Sequence, residues 1–103
     1  LALCSQISKE CGKPLFVGEC GTEYEVADLQ TKHQQVETVL GGLVESKIPL
    51  AAYWVYDLPA QPCSVSESND YAFVLPAIQQ ANQQLWTHSS SNGVRLAAWC
   101  IYE

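Results

Sequence analysis

The stretch KPLFVGECG at residues 13–21 decides the fold of this chain. Pro14 cannot continue a preceding helix, and the apolar run at residues 15–17 predicts a short strand that is buried on both faces. Two glycines after this run permit a tight exit from the strand. Glu19 lies between them, at the carboxyl end of the predicted strand.

The residues before this stretch have the pattern of a helix. Apolar side chains recur at helical spacing at Leu3, Cys4, Ile7 and Cys11. Gly12 follows at the position where a glycine commonly ends a helix. We therefore predict a first helix that ends next to Gly12.

A second helix is predicted after a loop over residues 22–30. Thr31 and Gln34 form a T-x-x-Q capping box, which predicts that the helix starts at Thr31. Behind the box, apolar residues form one stripe at the spacing of an amphipathic helix: Val36, Val39, Leu40, Leu43 and Val44. Pro49 ends the pattern.

A second strand and a third helix follow. The apolar residues 50–55 predict the strand, and segment 58–68, with its prolines and serines, predicts a loop. The last helix has Asn69 or Asp70 as its N-cap, and its apolar stripe consists of Tyr71, Val74, Leu75, Ile78 and Leu85. Pro76 lies inside this pattern, so we expect a kink or a separate first turn.

The predicted order is helix, strand, helix, strand, helix, which is the alternation of βαβ units with a parallel sheet. Two parallel strands are too few to form a sheet on their own. We therefore expect the chain to be a piece of a longer protein, with the missing strands before Leu1. The lack of methionine favours the same interpretation. In that case the strand faces at Leu15, Val17, Ala52 and Val55 lack opposing layers.

The end of the chain differs in character from the rest. Residues 89–93, SSSNG, are typical of a flexible linker, and the apolar tail 94–103 has no assigned partner. We therefore divide the chain into an α/β part, residues 1–88, and a linker with an extra tail of unknown role, residues 89–103.

The composition excludes several classes of protein. Of the 103 residues, 48% are apolar and 16% are charged, which excludes a disordered or low-complexity chain. The apolar runs fall far short of the ~20 residues that span a bilayer, and no signal peptide is visible at the start. The net charge of −6 argues against nucleic acid and anionic membranes as partners, whereas it leaves neutral ligands such as sugars open.

The cysteines and histidines form no recognisable metal site. The five cysteines include no C-x-x-C pair, and the two histidines are scattered, so we predict no metal and no cofactor. We interpret the cysteines as small apolar residues with one or two exposed thiols. A Cys11–Cys20 disulfide stays an alternative.

Candidate chemistry lies at the carboxyl ends of the two strands, where active groups gather in parallel α/β folds. Glu19 ends the first strand, and Trp54 and Tyr56 lie at the end of the second. A carboxylate beside an aromatic ring suits carbohydrate, because the ring stacks on the sugar and the carboxylate acts on the anomeric carbon. The alternatives are that Glu19 caps loop amides and that Trp54 belongs to the core.

Other chemistries have less support. The sequence lacks the G-x-G-x-x-G and P-loop motifs that hold phosphates, and the G-x-S-x-G motif of serine hydrolases. Cys20 as a nucleophile would need a histidine partner. His33 is predicted to be a solvated residue in the first turn of the second helix.

Two segments resemble retaining (β/α)₈ glycosidases, especially the cellulase-like family 5. The stretch KPLFVGECG at residues 13–21 is similar to the seventh-strand segment that carries the nucleophilic glutamate of that family. The stretch PLAAYWVYD at residues 49–57 resembles its eighth strand, whose tryptophan commonly forms the floor of the cleavage subsite. The resemblance covers residues 1–87. It implies an α/β fold, namely the C-terminal part of a (β/α)₈ TIM barrel, about two βα units plus a preceding helix.

The resemblance also implies roles for individual residues. Glu19 would be the nucleophile and Trp54 the platform of the −1 subsite, with Tyr56 and Tyr24 as further substrate-binding residues. Cys20 departs from the family pattern, which has an aromatic residue at this position. The acid/base glutamate of the family follows an asparagine on the fourth strand, and no such segment exists in this chain.

The implied activity is hydrolysis of a β-linked glycan, such as a β-glucan or β-mannan, with retention of configuration. It requires the N-terminal portion of the barrel as a partner and no cofactor, and the resemblance suggests an extracellular or periplasmic location. This chain alone is then expected to be inactive. The alternatives are a non-catalytic α/β carbohydrate-binding or interaction module, and a structural half-barrel that assembles with a partner chain.

Overall fold

Helices and strands alternate along the chain in a computed structural model, which describes residues 1–22, 28–58 and 60–88 and, for residues 86–88, the backbone alone. The elements in chain order are α1 (Ala2–Cys11), β1 (Phe16–Cys20), α2 (Leu29–Glu45), β2 (Leu50–Tyr53) and α3 (Val74–His88). β1 and β2 form a two-stranded parallel sheet. The predicted α/β class, element order and parallel pairing are confirmed.

One extra residue in β1 interrupts the pairing of the strands. The paired residues are Phe16 with Leu50, Val17 with Ala51, and Cys20 with Tyr53. Three steps along β1 therefore match two steps along β2, as in a β-bulge. Because successive side chains of a regular strand alternate between its faces, the extra residue lets Val17 and Cys20 share one face.

The core lies between this face of the sheet and the helices α2 and α3. Its buried side chains are Val36, Leu40, Leu43, Ile48, Ala51, Cys63, Val65, Tyr71, Val74 and Ala81. Three of them belong to the stripe predicted for α2, and the remaining two residues of that stripe, Val39 and Val44, pack at the margin of the core. The amphipathic interpretation of α2 is confirmed.

The open face of the sheet is not the predicted one. We expected unpaired faces at Leu15, Val17, Ala52 and Val55, but the first two pack against the core and Val55 is buried. The open face carries Phe16 instead, with 55% of its surface exposed. An uninterrupted apolar run has no alternation, so its pattern cannot assign the faces of the strand.

Gly12 ends α1 as predicted. Its φ of 63° lies in the left-handed region that glycine adopts without strain. Lys13 N–H donates to the carbonyl oxygen of Ser8 at 3.1 Å, which closes the last turn of the helix. The rest of α1 packs loosely: none of its residues is buried, and 69% of the Leu3 surface is exposed.

The start of α2 differs from the prediction. The N-cap is Asp28, three residues before the predicted start, and its carboxylate accepts the Thr31 N–H at 2.8 Å. The same carboxylate accepts the Thr31 hydroxyl at 2.7 Å. The capping box at Thr31 was therefore wrong, because an aspartate upstream caps the helix and occupies the hydroxyl of the expected cap.

α3 is preceded by a separate turn. Ala72 N–H donates to the Asn69 carbonyl at 3.0 Å, and Val74 N–H donates to the Tyr71 carbonyl at 2.9 Å. Pro76 is the third residue of α3, where a backbone N–H has no partner within the helix, so its ring causes no break. Of the two predicted outcomes, the separate first turn is confirmed.

The cysteines of the described residues, Cys4, Cys11, Cys20 and Cys63, are all free, so the Cys11–Cys20 disulfide does not form. None of the helices in the described ranges is long and apolar enough to cross a membrane. The predicted linker and tail, residues 89–103, lie outside the described residues.

Candidate functional site

Glu19 and Trp54 line one surface depression at the carboxyl end of the sheet. The depression has a volume of about 330 Å³, and its other lining residues are Cys20, Gly21, Thr22 and Cys63. Adjacent parallel strands end at the same edge of a sheet, so residues that follow them meet there. The structure thus brings together the two residues that the sequence singles out most strongly.

The bulge in β1 determines where Glu19 lies. In a regular strand, Glu19 would share the face of Val17, which packs against the core. The extra residue lets Cys20 occupy that face instead, and Glu19 is exposed. No hydrogen bond or ion pair to its carboxylate forms within residues 1–22, 28–58 and 60–88. The alternative that Glu19 caps loop amides therefore finds no support in this part of the chain.

Trp54 is held by its backbone next to the end of β1. Its N–H donates to the Cys20 carbonyl at 2.7 Å, and its peptide bond to Val55 is cis. The side chain is half-buried, and it packs against the margin of the core while it also lines the depression. Trp54 therefore lies both at the margin of the core and on the wall of the depression, and its role as a sugar platform stays a prediction.

Gly21 is required for this approach of the two strand ends. A Cβ at Gly21 would lie 2.8 Å from the Trp54 carbonyl oxygen, which is closer than real contacts of this kind. The second glycine of the G-E-C-G segment therefore allows the backbone of Trp54 to reach the end of β1. Any larger residue at position 21 would move Trp54, which lines the depression, relative to Glu19.

Tyr56 does not line the depression in the structure. Tyr56 forms a parallel bridge with Val65, packs against the margin of the core, and is not among the described lining residues. Tyr24 lies outside the described residues. The substrate-binding roles of both tyrosines stay predictions.

Cys63 reaches the depression because the loop after β2 folds back on the sheet. Val65 N–H donates to the Val55 carbonyl at 2.7 Å, and Asp57 N–H donates to the Val65 carbonyl at 2.8 Å. Asn69 fastens this loop, since its side-chain amide donates to the Ser64 carbonyl at 2.6 Å. The sequence analysis did not predict that Cys63 lines the depression. It interpreted Asn69 only as a helix cap, whereas the side chain of Asn69 also holds the loop next to Cys63.

Tyr53, which pairs with Cys20 across the sheet, carries a buried phenol and is not among the described lining residues of the depression. Burial raises the pKa of Tyr53 to about 12, and the nearby Thr22 hydroxyl offsets part of this effect without reaching hydrogen-bond geometry. Both hydroxyl oxygens are buried and have no hydrogen-bond partner among the described residues. The Tyr53 phenol is therefore neutral at neutral pH.

The two thiols of the depression are poor nucleophiles. Burial raises the pKa of both Cys20 and Cys63, and the Cys20 thiol donates to the Ala52 carbonyl at 3.3 Å. Because the thiolate is the reactive form, the raised pKa lowers the reactivity of both thiols at neutral pH. His33 is not among the described lining residues of the depression, and its ring stacks on Phe73 with centroids 3.6 Å apart. His33 is half-buried and therefore only partly solvated, because Phe73 of the turn before α3 stacks on its ring.

No group of three or more metal-binding side chains occurs in the described ranges. Comparison with known proteins adds no identification, because no family model, curated protein or solved structure matches the chain.

Proposed function

We propose that this chain is the C-terminal portion of a (β/α)₈ retaining glycoside hydrolase that cleaves a β-linked glucan or mannan. The observation that carries the proposal is that Glu19 and Trp54 line one depression at the carboxyl ends of neighbouring parallel strands. The two sequence segments that resemble the glycosidases are the ones that contribute these residues. An extracellular or periplasmic location belongs to the same proposal and rests on the resemblance alone.

Glu19 would act as the nucleophile. Its carboxylate oxygen forms a bond to the anomeric carbon while the bond to the leaving oxygen breaks, and water later hydrolyses the glycosyl ester with overall retention. An exposed carboxylate without an ion-pair partner in the described part of the chain is free to make this attack. The indole of Trp54 offers an apolar surface on which the C–H face of the sugar can stack.

The reaction needs a second carboxyl group about 5–5.5 Å from the nucleophile, which protonates the leaving oxygen. Among the described residues that line the depression, Glu19 is the one carboxylate. The resemblance implies that the acid/base group lies on the fourth strand of the barrel, and we propose that this strand supplies it. We expect the isolated 103-residue chain to hydrolyse no glycoside, because general acid–base catalysis contributes typically about 10²–10⁴-fold.

A carbohydrate-binding module is the second candidate. One observation favours it: the depression combines an aromatic platform with one described carboxylate, which is sufficient for binding and insufficient for retaining hydrolysis. In that case Trp54 would still bind sugar, whereas Glu19 would be a hydrogen-bond acceptor and not a nucleophile.

Substitutions in the full-length protein distinguish the two candidates. Glu19→Gln should abolish hydrolysis of β-glucan or β-mannan and leave binding largely intact, whereas Trp54→Ala should weaken both. Glu37→Gln is the matched control, because Glu37 is an exposed carboxylate on α2. Full activity of the Glu19→Gln variant would contradict the enzyme proposal. Binding without any turnover by the unaltered protein would favour the module.

A further inference from the structure

Two free thiols line the candidate site. Cys20 comes from the end of β1 and Cys63 from the loop after β2, so the two thiols reach the same depression from segments that are distant in sequence. Cys4 and Cys11 on α1 are exposed, and they are not among the described lining residues of the depression. Cys20 and Cys63 are therefore the two described thiols that the fold brings to one place.

The phenol of Tyr53 gives independent evidence that these thiols are neighbours. Burial is the main cause that raises the pKa of Tyr53, and Cys20 and Cys63 each add to it through their charge. Both thiols therefore lie within electrostatic reach of the same phenol. Cys63 also belongs to the buried core, and Cys20 packs against that core.

Burial favours a disulfide over two thiolates at this place. It raises the pKa of both thiols because it disfavours their charged form. A disulfide carries no charge and has no proton to lose, so the same burial does not disfavour it. Exposure also determines the order of reaction, since Cys20 is half-buried whereas only 2% of the Cys63 surface is exposed. A reagent in the depression therefore meets Cys20 first.

We infer that Cys20 and Cys63 form a redox-sensitive pair that closes to an intramolecular disulfide beside Glu19. The oxidant is a low-molecular-weight disulfide such as oxidised glutathione. The Cys20 thiolate attacks one sulfur of this disulfide, and one glutathione thiolate leaves with the electron pair of the broken S–S bond. The Cys63 thiolate then attacks the Cys20 sulfur, and the second glutathione thiolate leaves. Two protein thiols are oxidised, one disulfide is reduced, and the two thiol protons end on the two glutathione molecules.

The disulfide would fix the loop after β2 against the end of β1. In the reduced form, hydrogen bonds of Val65 to the segment after β2 and of the Asn69 side chain to Ser64 hold this loop. A bond between Cys20 and Cys63 would add a covalent link to β1. Because this link encloses residues 21–62, it also restricts the unfolded chain and stabilises the fold. The inference does not rest on the proposed glycosidase activity.

Mapping of the link in the full-length protein tests the inference. The folded, reduced protein is treated with oxidised glutathione without denaturant, remaining thiols are blocked with N-ethylmaleimide, and the chain is cut after glutamate. This cleavage leaves Cys20 as the one cysteine of peptide 20–23 and Cys63 as the one cysteine of peptide 46–67. Mass spectrometry should find these two peptides linked. The link should form about tenfold faster at pH 8 than at pH 7, because the thiolate is the attacking form. The melting temperature of the oxidised protein should lie about 5–15 °C above that of the reduced protein.

Cys11→Ser is the matched control, because Cys11 is a free thiol that does not line the depression. This variant should keep both the link and the rise in melting temperature, whereas Cys20→Ser should lose both. If the Cys20→Ser variant fails to fold, the mapping in the unaltered protein still decides. A glutathione adduct that persists on Cys20 while Cys63 stays unlinked would overturn the inference, as would a link of either thiol to another cysteine. A link that forms only in urea, or one without a rise in melting temperature, would overturn it as well.

Discussion

Replacement of Gly21 by alanine tests how the site is assembled. The new Cβ would lie 2.8 Å from the Trp54 carbonyl oxygen, and an ordinary contact begins near 3.4 Å, so the two backbones must separate by about 0.6 Å. The bond from Trp54 N–H to the Cys20 carbonyl, now 2.7 Å, would stretch toward the ~3.2 Å limit of normal N–H···O bonds. We expect a loss of about 1–3 kcal/mol in the free energy of unfolding, as for other overpacked sites.

Gly18→Ala is the matched control for this experiment. A Cβ at Gly18 would meet the nearest atom, Phe16 Cε1, at 3.6 Å, which is an ordinary contact, and the backbone at Gly18 does not lie in the left-handed region. Its free energy of unfolding should change by no more than about 0.5 kcal/mol. Urea denaturation, followed by circular dichroism, measures both variants. Equal stabilities for the two would refute the close approach of Trp54 to β1.

Three further predictions concern ionisation and the end of the chain. Because the pKa of Tyr53 is raised to about 12 in the folded state from 10.0, its contribution to stability is complete below pH 10 and is lost as the pH rises toward 12. Tyr53→Phe should therefore lose less stability between pH 10 and 12 in urea denaturation. The backbone N–H of Thr31 holds the pKa of Asp28 below 3.8, so its contribution is present above that pH and is lost as the pH falls through the folded pKa. Asp28→Asn should therefore show a smaller loss of thermal stability on acidification below pH 4. Deletion of residues 89–103 should leave the activity of the full-length protein unchanged.

Each of these predictions has a contradicting outcome. If the Tyr53→Phe variant and the unaltered protein lose the same stability between pH 10 and 12, the Tyr53 phenol is exposed to water. If the Asp28→Asn variant loses as much stability at acid pH as the unaltered protein, Asp28 does not cap α2, and the helix starts at Thr31 as the sequence predicts. A large loss of activity on deletion of residues 89–103 would show that the tail packs on the α/β part.

The order of elements was predictable because each signal is local. Gly12 and Pro14 end a helix through their own backbone preferences, and the stripe of α2 follows from helical spacing alone. The meeting of Glu19 and Trp54 was also predictable, since neighbouring parallel strands end at the same edge of a sheet. The sequence was therefore sufficient to predict the order of helices and strands and the pairing of Glu19 with Trp54 at the strand ends.

The remaining features depend on contacts between distant residues. The bulge that exposes Glu19 arises from the pairing of β1 with β2, and no local pattern encodes a register. Cys63 enters the site through a loop that Asn69 fastens, and His33 is covered by Phe73 from the turn before α3. The start of α2 was misplaced because two capping signals, Asp28 and Thr31, compete within one turn.

Covalent labelling tests the central claim most directly. A 2-deoxy-2-fluoro glycosyl fluoride reacts with the nucleophile of a retaining glycosidase: the carboxylate oxygen bonds to the anomeric carbon, and fluoride leaves with the electron pair of the broken bond. Since fluoride departs without protonation, the label reports on the nucleophile independently of the acid/base group. After digestion of the labelled full-length protein, mass spectrometry should place one glycosyl ester on Glu19. A label on any other carboxylate, or turnover without a label, would contradict the assignment.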